Sequence, residues 1–398
     1  MRPSMNYCEK VRALQESYRR VLEQKNRPSR KEGICRRYLH PVLTAGHIPP
    51  AWRYEFDEQR NPLLLERLMV NSVFNAGAMK WGELFLLAAR VEGADRKSFF
   101  AIAQSRSGID GFEFRDRPVV MPELEETETN HYDLRLVPHE DGWIYGLFCV
   151  ESKDPTAPKG DTSAAIAQAG IARTKDLKQW ERLANLKTPS PQQRNVVLHP
   201  EFVNGKYGFY TRPQDGFIET GSGGGIAWGV CENIEQAVLT EEILVDEKCY
   251  HTIKEAKNGL GPAPLKTAYG WLHLAHGVRQ TAAGLRYVLY VFMTDLKQPW
   301  KVTFRPGGYL LAPRGPERVG DVSNVVFSNG WILEEDGTVY LYYGSSDTRL
   351  YAASCSLEAL VDYVMHTPED GGRTSVCVRQ RLDLIERNQR WLKEAGLA

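Results

Sequence analysis

Three segments carry residue types and spacings that can do chemistry. In Asn130-His131-Tyr132-Asp133-Leu134-Arg135 a carboxylate sits in a β-like run, between aromatic residues and a cation. Aspartate is disfavoured inside strands, so its presence asks for a reason. One reason is a buried ion pair with Arg135 or another base, and the other is acid–base catalysis. A second, dispersed set is basic: Gln193-Arg194-Asn195, Tyr210-Thr211-Arg212-Pro213, Lys257-Asn258-Gly259 and Ala275-His276-Gly277-Val278. Arginine offers a planar fork that matches phosphate or carboxylate, and lysine a point charge. Singly, each reads as a surface residue. Arg194 and Arg212 flank one hairpin, however, and two arginines brought together need an anion. The third segment, Thr220-Gly221-Ser222-Gly223-Gly224-Gly225, lacks the GK[ST] ending and the following helix of a phosphate loop, and reads as a tight connection. No HExxH, GxSxG or metal-ligand spacing occurs, and His131 and His139 read as loop or strand-end residues.

The elements that must position these groups show as a repeat. A polar turn containing glycine is followed by an apolar strand that ends in a polar residue. It occurs at Gly82 leading to Arg90, Gly142 to Glu151, Gly205 to Arg212, Gly270 to His276, and Gly337 to Asp347. Between these lie weaker units of strand, Asp- or Asn-rich turn and apolar residue, at Ser107–Phe114, Thr174–Trp180, Cys231–Ala237 and Thr294–Trp300. Two hairpins per repeat make four strands, which is one blade, and five repeats predict an all-β, five-bladed β-propeller over 69–354. A β-sandwich, or two all-β domains, is the competing architecture. In a propeller, equivalent strand ends converge on the central channel, so Arg90, Glu151, Arg212, His276 and Asp347 are expected to meet there.

Flanking this region, residues 6 to 26 show helical spacing of Val11, Leu14, Tyr18, Val21 and Leu22, ended by Asn26-Arg27-Pro28-Ser29. Residues 1–68 thus read as a helical extension and lead-in. The tail, 355–398, holds two further helical stretches, at Ser356–Met365 and Arg379–Leu397, suited to bracing the propeller or meeting another subunit.

Composition limits the function. Of 398 residues, 42% are hydrophobic and 25% charged, with Lys+Arg and Asp+Glu equal at 50 each. A net charge of zero argues against nucleic acid as the main partner. The N-terminus holds no apolar signal segment, and no stretch has the length of a membrane span. Cys8, Cys35, Cys149, Cys231, Cys249, Cys355 and Cys377 are scattered, so idle thiols in a reducing, cytoplasmic setting are expected, without zinc or disulfides.

At Tyr132-Asp133-Leu134-Arg135 the sequence resembles glycoside hydrolase family 130, the β-mannoside phosphorylases. The likeness runs through NSVFNAGAMK (71–80), RVEGADRKSFF (90–100), TRPQDGF (211–217), GWLHLAHGVR (270–279) and the stretch 320–347, and so covers nearly the whole chain. The long N-terminus, RVEGADRKSFF and HTIKEAKNG (251–259) look like the mannosylglucose-cleaving subgroup rather than the mannooligosaccharide-cleaving one.

The resemblance implies inverting phosphorolysis of a β-mannoside to α-mannose 1-phosphate and glucose. Asp133 would be the general acid, acting through the 3-hydroxyl of the mannosyl unit. Phosphate would contact Arg194, Arg212, Lys257 and His276, with Asn195 and Tyr287 nearby. Asn75, Arg90, Arg96 and Asp347 would hold the mannosyl unit, with Tyr132 beside them. Phosphate is then a co-substrate and no cofactor or metal is needed. A homo-oligomer, a hexamer among the options, is implied as well. A mannooligosaccharide phosphorylase, an inverting β-mannosidase and a propeller that merely binds sugar are the alternatives.

Overall fold

The four-strand repeat builds five blades around a central channel, and the computed structural model describes residues 4–397 of the chain. The first blade comprises Val70–Trp81, Leu84–Gly93, Ser98–Ser105 and Glu113–Phe114. The second comprises Glu128–Pro138, Ile144–Lys153, Ala165–Thr174 and Glu181–Leu186. In the third, Val197–Leu198, Tyr207–Thr211, Ile226–Cys231 and Ile243–Asp246 pair in order. The fourth runs from Lys257–Leu260 and Leu265–Lys266 through Trp271–Thr281 and Gly284–Thr294 to Val302–Phe304. The fifth uses Val326–Leu333, Thr338–Ser345 and Arg349–Ser356.

All five repeat glycines lie in the turn between a blade's first and second strands. Gly82, Gly142, Gly205 and Gly337 take φ of +56°, +81°, +75° and +82°, the left-handed region that glycine enters without steric cost. The weaker units are the turns between third and fourth strands.

Between neighbouring blades the apolar faces interlock. Leu86, Phe100 and Ile102 of the first blade, for example, share one core cluster with Leu134, Leu136 and Phe148 of the second. The first strands approach each other almost backbone to backbone. A methyl group added at Gly77 would stand 2.6 Å from Leu134 O and 2.9 Å from Leu136 N. One added at Gly330 would stand 2.5 Å from Ala78 Cβ.

The ring is closed by the chain's other end. Cys35–Tyr38 pairs antiparallel with the fifth blade, Arg36 opposite Ser354 and Arg37 opposite Ala353, and Pro28–Glu32 extends that sheet by one more strand. The lead-in 1–68, read from sequence as an extension outside the propeller, therefore contains part of it. Pairing covers a strand edge that the last blade would otherwise leave open. The N-terminal helix spans Met5–Leu22, shorter than the expected 6–26. Asn26 lies beyond it because its side chain donates to His40 O and Ile109 O, at 2.8 and 2.9 Å, and pins the chain to the first blade. At the other end, Leu357–His366 buries Leu360, Val361 and Val364 against the fifth blade. Thr374–Glu394 buries none of its residues.

The close approach at Gly77 predicts that Gly77→Ala forces the first two blades apart, lowering stability by about 1–3 kcal/mol in denaturant unfolding. An unchanged midpoint and slope would mean that the inner strands are not packed in this way.

Candidate active site

The inner ladder is broken at one level in three blades. Register slips occur between Phe74 and Gly77, Tyr132 and Arg135, and Phe327 and Gly330. A β-bulge of this kind re-aims a side chain. At the bulges Asn75 and Asp133 take φ of +44° and +61°, and Asn195, just before the third blade, takes +56°. Asparagine and aspartate tolerate this region better than other non-glycine residues. The result is that all three side chains line one cavity of about 160 Å³ in the channel, whose other lining includes Arg90, Arg194, Arg212, Lys257, His276, Tyr287, Phe327 and Asp347.

Charge is divided across this cavity. The fifth, first and second blades supply Asp347, Asn75, Arg90 and Asp133. Asn75 Nδ2 donates to Asp133 Oδ1 at 3.0 Å, and Arg90 Nη1 lies 3.4 Å from the same oxygen. Arg90 is further held by Glu92 at 2.6 Å and Ser98 at 2.9 Å, and its guanidinium lies over Phe74 and Tyr132. The third and fourth blades supply Arg194, Asn195, Arg212, Lys257, His276 and Tyr287. Arg212 donates to Gln214 Oε1 at 2.8 Å, and Arg194 donates to Phe217 O at 3.2 Å. Among the described residues, neither arginine nor Lys257 forms an ion pair with a carboxylate.

Electrostatics follow from this crowding. Burial, then the neighbouring Arg212 and Arg194, pushes the Lys257 ammonium down to about 8. Arg212 falls to about 10 through burial and Arg194. His276 lies well below the usual histidine range because it is buried among Arg212, Arg135, Lys257 and Arg194, so its ring is neutral at pH 7. Neither of its ring nitrogens has a hydrogen-bond partner within the protein. On the opposite wall, burial raises Asp347 to about 7, with Asp133 and Glu92 adding to the effect and Arg90 opposing it. Fixed positive groups that lack a carboxylate partner form a seat suited to a small anion, which would relieve their repulsion. The adjoining wall of carboxylates, amide and arginine suits vicinal hydroxyls.

Of the residues singled out from sequence, Asp133, Asn75, Arg90, Asp347, Arg194, Asn195, Arg212, Lys257, His276 and Tyr287 meet on this lining. Tyr132 lies behind it, buried, with the Arg90 and Arg194 guanidinium carbons 4.8 and 5.6 Å from its ring. Arg96 is not brought in: it occupies the exposed turn after Gly93 at φ +67°. Glu151, expected to converge with the other strand ends, also misses the lining. Register is the reason. Arg90 pairs with Phe74, the residue before the bulge, whereas in the second blade that partner is Cys149, two residues short of Glu151. The Gly-rich run joins second to third strand within one blade, and Gly224 O accepts from Asn258 N at 2.8 Å, bracing the strand of Lys257.

Phe327, Val322, Val325 and Leu285 complete the lining and were not anticipated. A signal existed for the first: Asn324-Val-Val-Phe-Ser-Asn-Gly330 repeats Asn71-Ser-Val-Phe-Asn-Ala-Gly77, and each is an inner strand with its bulge before the glycine. Arg135, read as a possible partner of Asp133, binds its backbone instead. Fully buried, it donates to Asp133 O at 3.0 Å, Asn195 Oδ1 at 2.9 Å and Gly261 O at 2.8 Å.

Known proteins place this arrangement. The family model for glycoside hydrolase family 130, described as beta-1,4-mannooligosaccharide phosphorylase, matches residues 51–366. A 4-O-beta-D-mannosyl-D-glucose phosphorylase of Bacteroides fragilis is 58% identical over 97% of this chain and 99% of its own length. A beta-1,4-mannooligosaccharide phosphorylase of Ruminococcus albus is 29% identical over 79% of this chain and 90% of its own. Among solved structures, the beta-1,2-mannobiose phosphorylase of Listeria innocua superposes with a TM-score of 0.63 at 21% identity, covering 79% of this chain and 99% of that one, and shares the fold.

The low Lys257 value gives a pH test of the anion seat. Its charge is present below about pH 8 and lost above it. Sulfate, which does not titrate near neutrality, should bind with affinity that falls by up to about tenfold per pH unit above that point. Calorimetry on Lys257→Met should show weaker binding and a flat profile; the same slope in both proteins would remove Lys257 from the seat.

Proposed function

The chain belongs to glycoside hydrolase family 130, and from that premise we propose that it splits 4-O-β-D-mannosyl-D-glucose with inorganic phosphate, releasing α-D-mannose 1-phosphate and D-glucose. The observation that carries the reading is the division of charge: the acids on the cavity lining, Asp133 and Asp347, stand on the wall of the fifth, first and second blades, and the facing wall sets Arg194, Arg212 and Lys257 among neutral groups with no carboxylate. An inverting hydrolase needs a carboxylate on the far side of the sugar to activate water. Phosphate needs no base, because it arrives charged; it needs holding.

In this mechanism Asn75, Arg90 and Asp347 hold the mannosyl unit, and Arg194, Arg212, Lys257 and His276 hold phosphate against its anomeric face. A phosphate oxygen forms the new bond to C1 as the bond from C1 to the glycosidic oxygen breaks, so the β-linkage becomes an α-phosphate. The proton from Asp133 reaches the departing oxygen through the mannosyl 3-hydroxyl and ends on the glucose 4-hydroxyl. The cations keep phosphate in line despite the nearby carboxylates, and such positioning is worth roughly 7–11 kcal/mol of barrier in favourable cases. The neutral His276 contributes one N–H donor without adding to the repulsion among the cations. The 58% identity to the Bacteroides fragilis enzyme, against 29% to the mannooligosaccharide phosphorylase, supports glucose as the leaving sugar.

Assembly and location belong to the same proposal. Val378, Leu382, Ile385 and Leu392 form an apolar stripe on the tail helix, 37–53% exposed, and support association of several copies. The seven free thiols suit a reducing cytoplasm.

Two measurements test this reading. With mannosylglucose and phosphate, mannose 1-phosphate and glucose should appear in equal amounts, and Asp133→Asn should lower turnover by about 10²–10⁴-fold while disaccharide binding persists. Free mannose released at a rate indifferent to phosphate would instead mark a hydrolase. Truncation after residue 370 should reduce the number of copies per particle in light scattering; an unchanged copy number would clear the tail helix of that role.

A further inference from the structure

Behind the wall that carries Asp347 lies a buried charged cluster that the mechanism does not use. Arg37 stands on the strand Cys35–Tyr38 that closes the ring, and its guanidinium pairs with the buried carboxylate of Glu317. It also donates from Nη2 to Ala312 O at 2.7 Å. Both carboxylate oxygens of Glu317 are engaged. One carboxylate oxygen accepts from Tyr343 OH at 2.7 Å, and the other accepts from Arg314 N at 2.9 Å besides Arg37. Its backbone oxygen accepts from Ser345 Oγ at 3.2 Å and Ser346 Oγ at 2.7 Å.

Those two serines directly precede Asp347. Ser346 and Asp347 both hold left-handed backbone, at φ +48° and +49°, a conformation that costs non-glycine residues energy and persists only when its surroundings impose it. The same segment is tied to the cavity lining on its other side. Ser346 N donates to Val325 O at 2.9 Å, Val322 N to Ser346 O at 3.3 Å, and Tyr287 N to Asn324 O at 3.2 Å. A single buried residue thus connects the two: the Glu317 carboxylate holds Arg37 of the ring-closing strand, and its backbone carbonyl holds the turn that aims Asp347.

We infer that Glu317, held by Arg37, is a positioning residue for Asp347, so that the strand closing the propeller also orients the sugar-binding carboxylate. The inference rests on the reading of Asp347 as a group that binds the mannosyl unit. It predicts an asymmetric effect, because the anion seat belongs to the third and fourth blades and makes none of the bonds to Glu317. Loosening the Glu317 cluster should harm sugar recognition and leave anion binding alone.

The test uses Ser346→Ala, which removes one bond to Glu317 O, and Glu317→Gln, which removes the charge opposite Arg37. Calorimetry measures mannosylglucose and, separately, sulfate on each folded protein, and steady-state kinetics give KM for disaccharide and for phosphate. Both variants should lose disaccharide affinity by about tenfold, with sulfate affinity and phosphate KM within about twofold of the parent. Should Glu317→Gln not fold, Ser346→Ala decides. Disaccharide affinity at the parent level, or equal losses for sugar and sulfate, overturns the inference. A parent protein that binds the disaccharide without splitting it would sink the phosphorylase reading and leave this comparison intact. One that does neither sinks both.

Discussion

Positive charge kept inside the channel without a matching carboxylate is the constraint to which the rest of this molecule answers. Removing an ion from water costs several kcal/mol even after the protein relaxes around it. Arg194, Arg212 and Lys257 bear that cost side by side. Partial compensation comes from neutral groups: Gln214 Oε1 for Arg212, and Phe217 O with the rings of Phe217 and Tyr132 for Arg194. Lys257 answers by titrating low, and His276 by staying neutral. In the proposed reaction phosphate meets the remainder, and donors that are already aimed need no rearrangement when it arrives.

Such a wall works only if the acid faces it, and the backbone arranges this by breaking its own ladder. A regular strand would point residue 133 across the sheet face. The bulge at Tyr132–Arg135 turns it into the channel in left-handed conformation, at a cost of order 1–3 kcal/mol. Arg135 offsets that cost. From full burial it grips the carbonyls of Asp133, Leu260 and Gly261 and the side chain of Asn195, tying the second blade to the third and fourth beneath the cavity. The spacing between Asp133 and the cations across the cavity is therefore braced by a cation that is not itself on the lining.

Ring closure has the same double use. A propeller opens if its first and last blades are not joined, and here the joining strand comes from ahead of the first blade. Through Arg37 and Glu317 that strand reaches the turn of Ser346 and Asp347, so closure of the fold and placement of a cavity-lining carboxylate share a hydrogen-bond cluster.

Much of this was legible along the chain, because a repeat records itself in sequence. Turn glycines take left-handed backbone in the first hairpins of four blades, and the spacing of all five revealed the blade number. Arg90, Arg212, His276 and Asp347 were found by the same count. Glu151 was misplaced by it, since a count from the turn does not see a two-residue difference in register. The strands before residue 40 were missed, being short and charged and stabilised only by an edge that comes from the far end of the chain. Residue types and periodicity thus determined the blade number, the kinds of charge available and the strands that bear them. Which charges face each other, and which groups anchor the Arg135 that holds the Asp133 carbonyl, was decided in three dimensions, because those contacts join residues 126 positions apart at Arg135 and Gly261 and 280 apart at Arg37 and Glu317 that no local pattern relates.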